Sequence, residues 1–141
     1  MGRRWQAFLA MVPPTVTHND LEAYMRRGRG GRMVPSIRKS EALHEAEEAI
    51  RARVLAAGVP ERPLSGALRE EVTVCYPPGQ AHADGEPHTD KPDLDNLVKT
   101  LNDVAERCGV VADDREVAAL SAAKAWSEPA GIWLAFEEVR P

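Results

Sequence analysis

Residues 93–116, DLDNLVKTLNDVAERCGVVADDRE, constrain the fold of this chain more than any other stretch. Leu94, Leu97, Val98, Leu101, Val104 and Ala105 recur at three- and four-residue steps, the period that gathers apolar side chains into one stripe of an α-helix. The spacing predicts a helix over about 93–108. Gly109 would close it, because glycine enters the left-handed conformation of a C-terminal cap without a Cβ penalty. Asp95, Lys99 and Asp103 fall at i, i+4 and i+8 on the face away from the apolar stripe. A second acidic pair, Asp113 and Asp114, lies just beyond the cap.

Chain geometry allows the two acidic groups to meet. From Asp95 to Cys108 the helix advances about 20 Å, and Cys108 to Asp114 in extended form returns about 20 Å. A reversal at Gly109 therefore permits Asp93, Asp95 and one of Asp113 or Asp114 to converge, only one of the adjacent pair facing inward if the return is extended. Crowded carboxylates repel unless protons or cations intervene, and hard divalent ions such as Mg²⁺, with Mn²⁺ as substitute, take oxygen ligands. Such a site suits phosphoryl chemistry. The metal activates water and stabilises the leaving oxygen, while a nearby lysine such as Lys99 balances developing negative charge. Simpler uses stand beside this one. An aspartate at a helix start is favoured by capping and by the macrodipole, and Lys99 is spaced to pair with Asp95 as an ordinary i, i+4 partner.

Elsewhere the pattern is that of an α+β chain. Trp5 to Val12 reads as a strand, although Arg3 and Arg4 ahead of an apolar run imitate a signal peptide; Gln6 interrupts the run, Pro13 and Pro14 end it, and no small-residue cleavage site follows. Residues 13–35 read as a turn-rich, flexible basic arm. A first helix is expected from Ser36 to Gly58, with Ile37, Ala42, Leu43, Ala46, Ile50, Val54 and Leu55 on one stripe. A strand ends in the alternation Val72, Thr73, Val74, Cys75; a long loop over 77–92 leads into the second helix; and Val117 to Trp126 and Gly131 to Val139 are further strands. The expected architecture is one domain over 1–141, a small mixed sheet with two main helices packed on it.

With 43% hydrophobic and 28% charged residues the composition is that of an ordinary globular chain. No apolar run approaches the eighteen or so residues of a membrane span. Cys75 and Cys108 lack the paired spacing of a disulfide scaffold or a zinc site, which favours a reducing cytoplasm. His18, His44, His82 and His88 match no zinc spacing and are expected to be non-ligands. Trp5, Trp126 and Trp133 are expected in the core or in a subunit interface. Charge is strongly segregated. Arg26, Arg27, Arg29, Arg32, Arg38 and Lys39 fall in one acid-free run, which leaves 12 basic against 22 acidic residues elsewhere, a net of −10. Such a run is either a phosphate-contacting arm or a mobile loop with incidental charge.

KPDLDNLVKTLNDVAERCGVVADDREV resembles the D-x-D-N-x-x-K helix of the RusA family of Holliday junction resolvases, followed after a glycine turn by that family's D-D-x-x-V element. PPTVTHND, the Arg/Gly-rich arm, DGEPHTDKPD and KAWSEPAGIWLAFEEV resemble phage and prophage members. The resemblance implies that Asp93, Asp95 and Asp114 are the metal-binding catalytic carboxylates and Lys99 the catalytic lysine, with Asp103 and Asp113 in supporting roles. It implies a Mg²⁺-dependent endodeoxyribonuclease of DNA recombination and repair, a homodimer with one active site per subunit acting on four-way DNA. Arg26, Arg27, Arg29, Arg32 and Lys91 would then contact DNA phosphates. The chain departs from members that carry an arginine cluster ahead of the aspartates, because Lys91 here stands alone among Asp84, Glu86 and Asp90. Two other readings remain: a branched-DNA-binding protein without catalysis, and a metal-dependent nucleotide phosphohydrolase, for which no glycine-rich phosphate cradle is present.

Overall fold

A computed structural model describes residues 2–140. In chain order the strands and helices are β1 (Arg4–Ala10), β2 (Leu21–Arg27), β3 (Met33–Lys39), α1 (Glu41–Ala57), β4 (Leu68–Tyr76), β5 (Glu86–Pro87), α2 (Leu94–Cys108), β6 (Val117–Trp126) and β7 (Gly131–Glu138). Five strands form one mixed sheet in the order β1-β7-β4-β6-β5, and β2 and β3 form a separate two-stranded ribbon. Within the sheet β4 and β6 run parallel, which requires a crossover between them, and α2 is the helix of that crossover. The other pairings are antiparallel. This is the α+β architecture expected from the sequence.

The period-two alternation in the strands puts Trp5, Ala7 and Leu9 of β1, Val72 and Val74 of β4, and Ile132, Leu134 and Phe136 of β7 into one core. The α2 stripe, Leu97, Val98, Leu101, Val104 and Ala105, packs into that core as its spacing predicts. From α1 the buried residues are Leu43, Ala46, Glu47, Ile50 and Val54. Glu47 is tolerated there because Lys39 Nζ at 2.9 Å and Arg107 Nη1 at 3.0 Å neutralise it. Burial pushes its carboxyl up, but those two cations outweigh burial and hold it below its ordinary value. Trp5 is buried with its indole N–H donating to Gly58 O at 2.7 Å, which ties β1 to the end of α1.

Two local expectations are corrected. The stretch read as a turn-rich arm over 13–35 contains a hairpin: Leu21–Arg27 pairs with Met33–Lys39, and the chain reverses at Gly30 and Gly31, whose φ of 76° and 78° favour glycine. The first helix starts at Glu41 rather than Ser36, because Ser36–Lys39 is spent on that ladder. Ser40 is the N-cap: its hydroxyl accepts from Leu43 N at 3.1 Å and donates to Asp20 Oδ2 at 2.6 Å. Ile37 is therefore an exposed strand residue, and Ala42 and Leu55 also lie off the buried stripe. Among the described residues no helix is long and apolar enough to cross a membrane, and Cys75 and Cys108 are free thiols.

Candidate metal centre and nucleic-acid face

The loop over 77–92 fixes where α2 begins. Trp126 of β6 stacks with both His82 and His88, each ring centroid 4.0 Å away. The His88 backbone N–H donates to Lys124 O at 3.0 Å, and Lys124 Nζ donates to Pro92 O at 2.7 Å and also to Asp90 O. Burial and the neighbouring Lys124 lower the proton affinity of the His88 imidazole. Asp93 follows as the N-cap residue of α2, with its backbone carbonyl accepting from Leu97 N at 3.0 Å. Its side chain makes no capping hydrogen bond and is exposed. Asp95, in the first turn, is exposed as well, and its Oδ1 accepts from Asn96 N at 3.0 Å.

At the other end of α2, Gly109 takes the left-handed cap conformation with φ 86°, and Val110 and Val111 turn back into the core. Leu64 grips this return, with Leu64 N to Val110 O and Ala112 N to Leu64 O both 2.9 Å. The chain then enters a 3-10 turn, Asp114–Glu116, with Asp113 as its N-cap: Asp113 Oδ1 accepts from Arg115 N at 2.9 Å.

This turn carries Asp114 onto the polar face of α2. Lys99 Nζ is 2.9 Å from Asp114 Oδ2 and 2.9 Å from Asp103 Oδ1. Glu106 Oε1 accepts from Asp114 N at 2.9 Å. The expected i, i+4 pairing of Lys99 with Asp95 is not made; the lysine leans the other way along the helix, toward Asp103 and Asp114. The hydrogen bonds it donates to these two carboxylates raise its proton affinity, so the ammonium form is favoured. Asp95 stands one turn, about 6 Å of rise, before Lys99. Asp95, Lys99 and Asp103 thus share one rim of α2, which Asp114 joins through Lys99, and Asp93 stands at the N-cap of that helix.

The tightest carboxylate group on that rim is Glu106, Asp113 and Asp114, which offer oxygens within 4.8 Å of one another. Asp93 and Asp95 lie outside this triad. An extended return would have turned one of the two adjacent aspartates away; the 3-10 turn brings both to Glu106. Carboxylate oxygens alone are the donor set of a hard divalent cation, so the residues fit such an ion. Glu106 was missed in the sequence, although it continues the polar face as the residue seven beyond Lys99. Glu70 was also missed. It is an acid at an inward position of β4, fully buried, and its Oε1 accepts from Asn102 Nδ2 of α2 at 2.9 Å.

Arg26, Arg27, Arg29 and Arg32 cluster at the tip of the hairpin, all exposed and, among the described residues, in no ion pair. The other two cations of the basic run are engaged: Arg38 pairs with Glu22 at 2.8 Å and lies over the Tyr24 ring, and Lys39 pairs with Glu47. Lys91 is exposed on the edge of a groove between Thr15–Asp20 and the start of α2. The segment containing His18 is attached there, with His18 N donating to Thr100 Oγ1 at 2.8 Å and Tyr76 Oη donating to Pro14 O at 2.7 Å.

A mixed α+β sheet with crowded carboxylates and one lysine along an exposed helix rim defines a class of acidic centre that could hold a metal. The chain matches the model of the endodeoxyribonuclease RusA family over residues 12–136 and belongs to that family, a family of nucleases that act on Holliday junctions. No match was found among curated proteins.

Proposed function

We propose that this protein is a Mg²⁺-dependent, structure-selective endonuclease that resolves four-way DNA by phosphodiester hydrolysis, working as a homodimer in recombination and repair. The observation that carries the reading is the junction of Lys99 with Asp114, which joins the two halves of the acidic motif across the α2 reversal. By the family motif Asp93, Asp95 and Asp114 would hold the cation, with Mn²⁺ as a substitute, while the carboxylates that already stand within cation reach of Asp114 are Glu106 and Asp113. The bound metal would supply an activated water and charge stabilisation for the leaving oxygen.

The chain's own residues do the rest. Lys99, held charged by Asp103 and Asp114, faces the charge that develops on a phosphate at this rim. Glu106 orients Asp114 through its backbone N–H, and Asp113 shapes the turn that presents it. Arg26, Arg27, Arg29 and Arg32 at the hairpin tip attract the DNA backbone without reading sequence, and Lys91 adds a contact beside Asp93. This offsets the repulsion of DNA by the acidic body.

The test is incubation of purified protein with a labelled four-way junction and a matching linear duplex, with and without Mg²⁺. Selective Mg²⁺-dependent cutting of the junction is expected, and Asp95→Asn should abolish it while junction binding survives. An unchanged cleavage rate in that variant would sink the metal assignment.

A further inference from the structure

Beneath the acidic rim the structure holds a polar pair for which surface chemistry gives no account. Glu70 lies on the inward face of β4, 0% exposed, and Asn102 of α2 is 8% exposed. One hydrogen bond joins them, Asn102 Nδ2 to Glu70 Oε1 at 2.9 Å. The remaining oxygen of each, Glu70 Oε2 and Asn102 Oδ1, is buried without a partner. Two orphaned acceptors on one hydrogen-bonded pair are costly, since each forfeits its water without replacement. A single proton on Glu70 Oε2 removes both defects: it neutralises the carboxylate and donates to Asn102 Oδ1, closing a two-hydrogen-bond acid–amide ring.

The surroundings favour this neutral form. Glu70 is flanked in the sheet by Phe136 of β7 and Leu120 of β6. The charged group that bears on it is Asp114, whose negative charge opposes a second one. On α2, Lys99 and Glu106 stand three residues before and four residues after Asn102, both exposed and on the rim above. Burial pushes the Glu70 carboxyl up to about 7, against the opposing pull of the Asn102 hydrogen bond and with Asp114 adding to the rise.

We infer that Glu70 is a buried proton-linked control residue of the metal centre: it holds a proton against Asn102 in the metal-free protein and releases it to solvent when a divalent cation binds beside Asp114. The inference rests on the divalent-cation reading of that site. Linkage makes the effect reciprocal. A cation near Asp114 favours the ionised Glu70, and an ionised Glu70 adds a negative charge that strengthens cation binding. The protein would therefore bind its cation more tightly at pH 8 than at pH 6, and a chain without the Glu70 carboxyl would lose that gain.

Glu70→Gln is the informative variant, because glutamine closes the same ring with Asn102 but carries no titrating proton. Two measurements are needed. In the first, urea unfolding of the metal-free protein is followed from pH 5 to pH 8. The parent chain should lose stability as pH rises from the unfolded value near 4.5 to about 7 and level off above, since only in that window does the folded state hold a proton that the unfolded state has released. The variant should stay nearly level, and parallel curves for the two proteins would overturn the inference. A carboxyl-carbon NMR titration of Glu70 in the parent chain tests the same point without any substitution: a midpoint near 7 is expected, and one in the ordinary carboxylate range overturns the inference.

In the second, Mn²⁺ affinity is read from the free-ion paramagnetic signal at pH 6 and pH 8. A gain of about tenfold is expected for the parent chain, the order set by one added charge near a divalent ion at intermediate dielectric, and little gain for Glu70→Gln. Equal pH dependence in both proteins overturns the coupling alone. Absence of Mn²⁺ binding to either overturns the metal reading and the coupling with it.

Discussion

Lys99 Nζ stands 2.9 Å from Asp114 Oδ2, although the two residues are fifteen positions apart and on opposite sides of a chain reversal. The contact depends on three placements. Gly109 turns the chain, the Leu64 grip on Val110 and Ala112 directs it, and the Glu106 carboxylate receives the Asp114 N–H. The lysine that could have been an ordinary helix-surface partner of Asp95 is thereby committed to the far half of the motif.

Replacing Lys99 by Met should therefore slow junction cleavage by about 10²- to 10³-fold, the usual cost of removing a charge-stabilising donor. Stability should change by no more than about 1 kcal/mol, because the ammonium group is half exposed and its pairs are screened. Single-turnover cleavage and urea titration measure the two effects. A cleavage rate equal to that of the parent would reduce Lys99 to a surface ion pair.

Asp113 and Asp114 sit in the same oxygen triad but do different things. Asp114 meets Lys99, whereas Asp113 caps the 3-10 turn by accepting from Arg115 N, which an asparagine oxygen also does. Asp114→Asn should cost at least about 100-fold in cleavage, and Asp113→Asn less than about tenfold. Equal losses in the same assay would mean that both aspartates hold the cation.

The hairpin-tip arginines predict a salt effect. Changing Arg26, Arg27, Arg29 and Arg32 together to Ala should lower the slope of log affinity against log salt for junction binding by roughly 3 to 4 per protomer, if all four touch phosphates. Thermal stability should not move, since none of the four is in an ion pair among the described residues. An unchanged slope would remove the hairpin tip from the DNA interface.

Acid should expose the Arg3–Glu138 contact that joins the start of β1 to the end of β7. Arg3 Nη2 lies 2.9 Å from Glu138 Oε2, and hydrogen bonds from the Arg3 side chain, Ser65 N and Arg3 N hold the carboxyl down to about 2. A depressed carboxyl contributes stability above its unfolded value, near 4.5, and loses that contribution as pH falls toward 2. Glu138→Gln should cost about 1 to 2 kcal/mol at pH 7 after allowance for solvent screening, and its deficit should shrink between pH 4.5 and pH 2. Equilibrium unfolding at several pH values checks both parts, and a deficit independent of pH would show that the charge is not the source.

Local patterning carried much of this molecule. The α2 stripe, the Gly109 cap and the strand alternation of β4 and β7 are short-range properties, so they were readable from side-chain spacing, as was the likeness of D-x-D-N-x-x-K and D-D-x-x-V to one nuclease family. The hairpin was not readable. Its strands carry arginines, a proline and exposed Met25, Met33 and Ile37 in place of a clean alternation, and its pairing is a relation between two segments rather than a property of either. The true start of α1 was hidden for the same reason, because the ladder claims Ser36–Lys39 and leaves the capping role to Ser40.

At the site, the sequence by itself determined which acids and which lysine were available and that the chain was long enough to return them to one another. Which groups meet was decided by tertiary structure. A 3-10 turn in place of an extended return brings both Asp113 and Asp114 to Glu106, and Lys99 toward Asp103 and Asp114 rather than Asp95. Glu70 shows the limit most plainly. An acid at an inward strand position can be noticed in a sequence, but its burial against Asn102, with one oxygen of each unpaired, exists only once α2 has packed onto β4 and excluded the water that would otherwise have satisfied them.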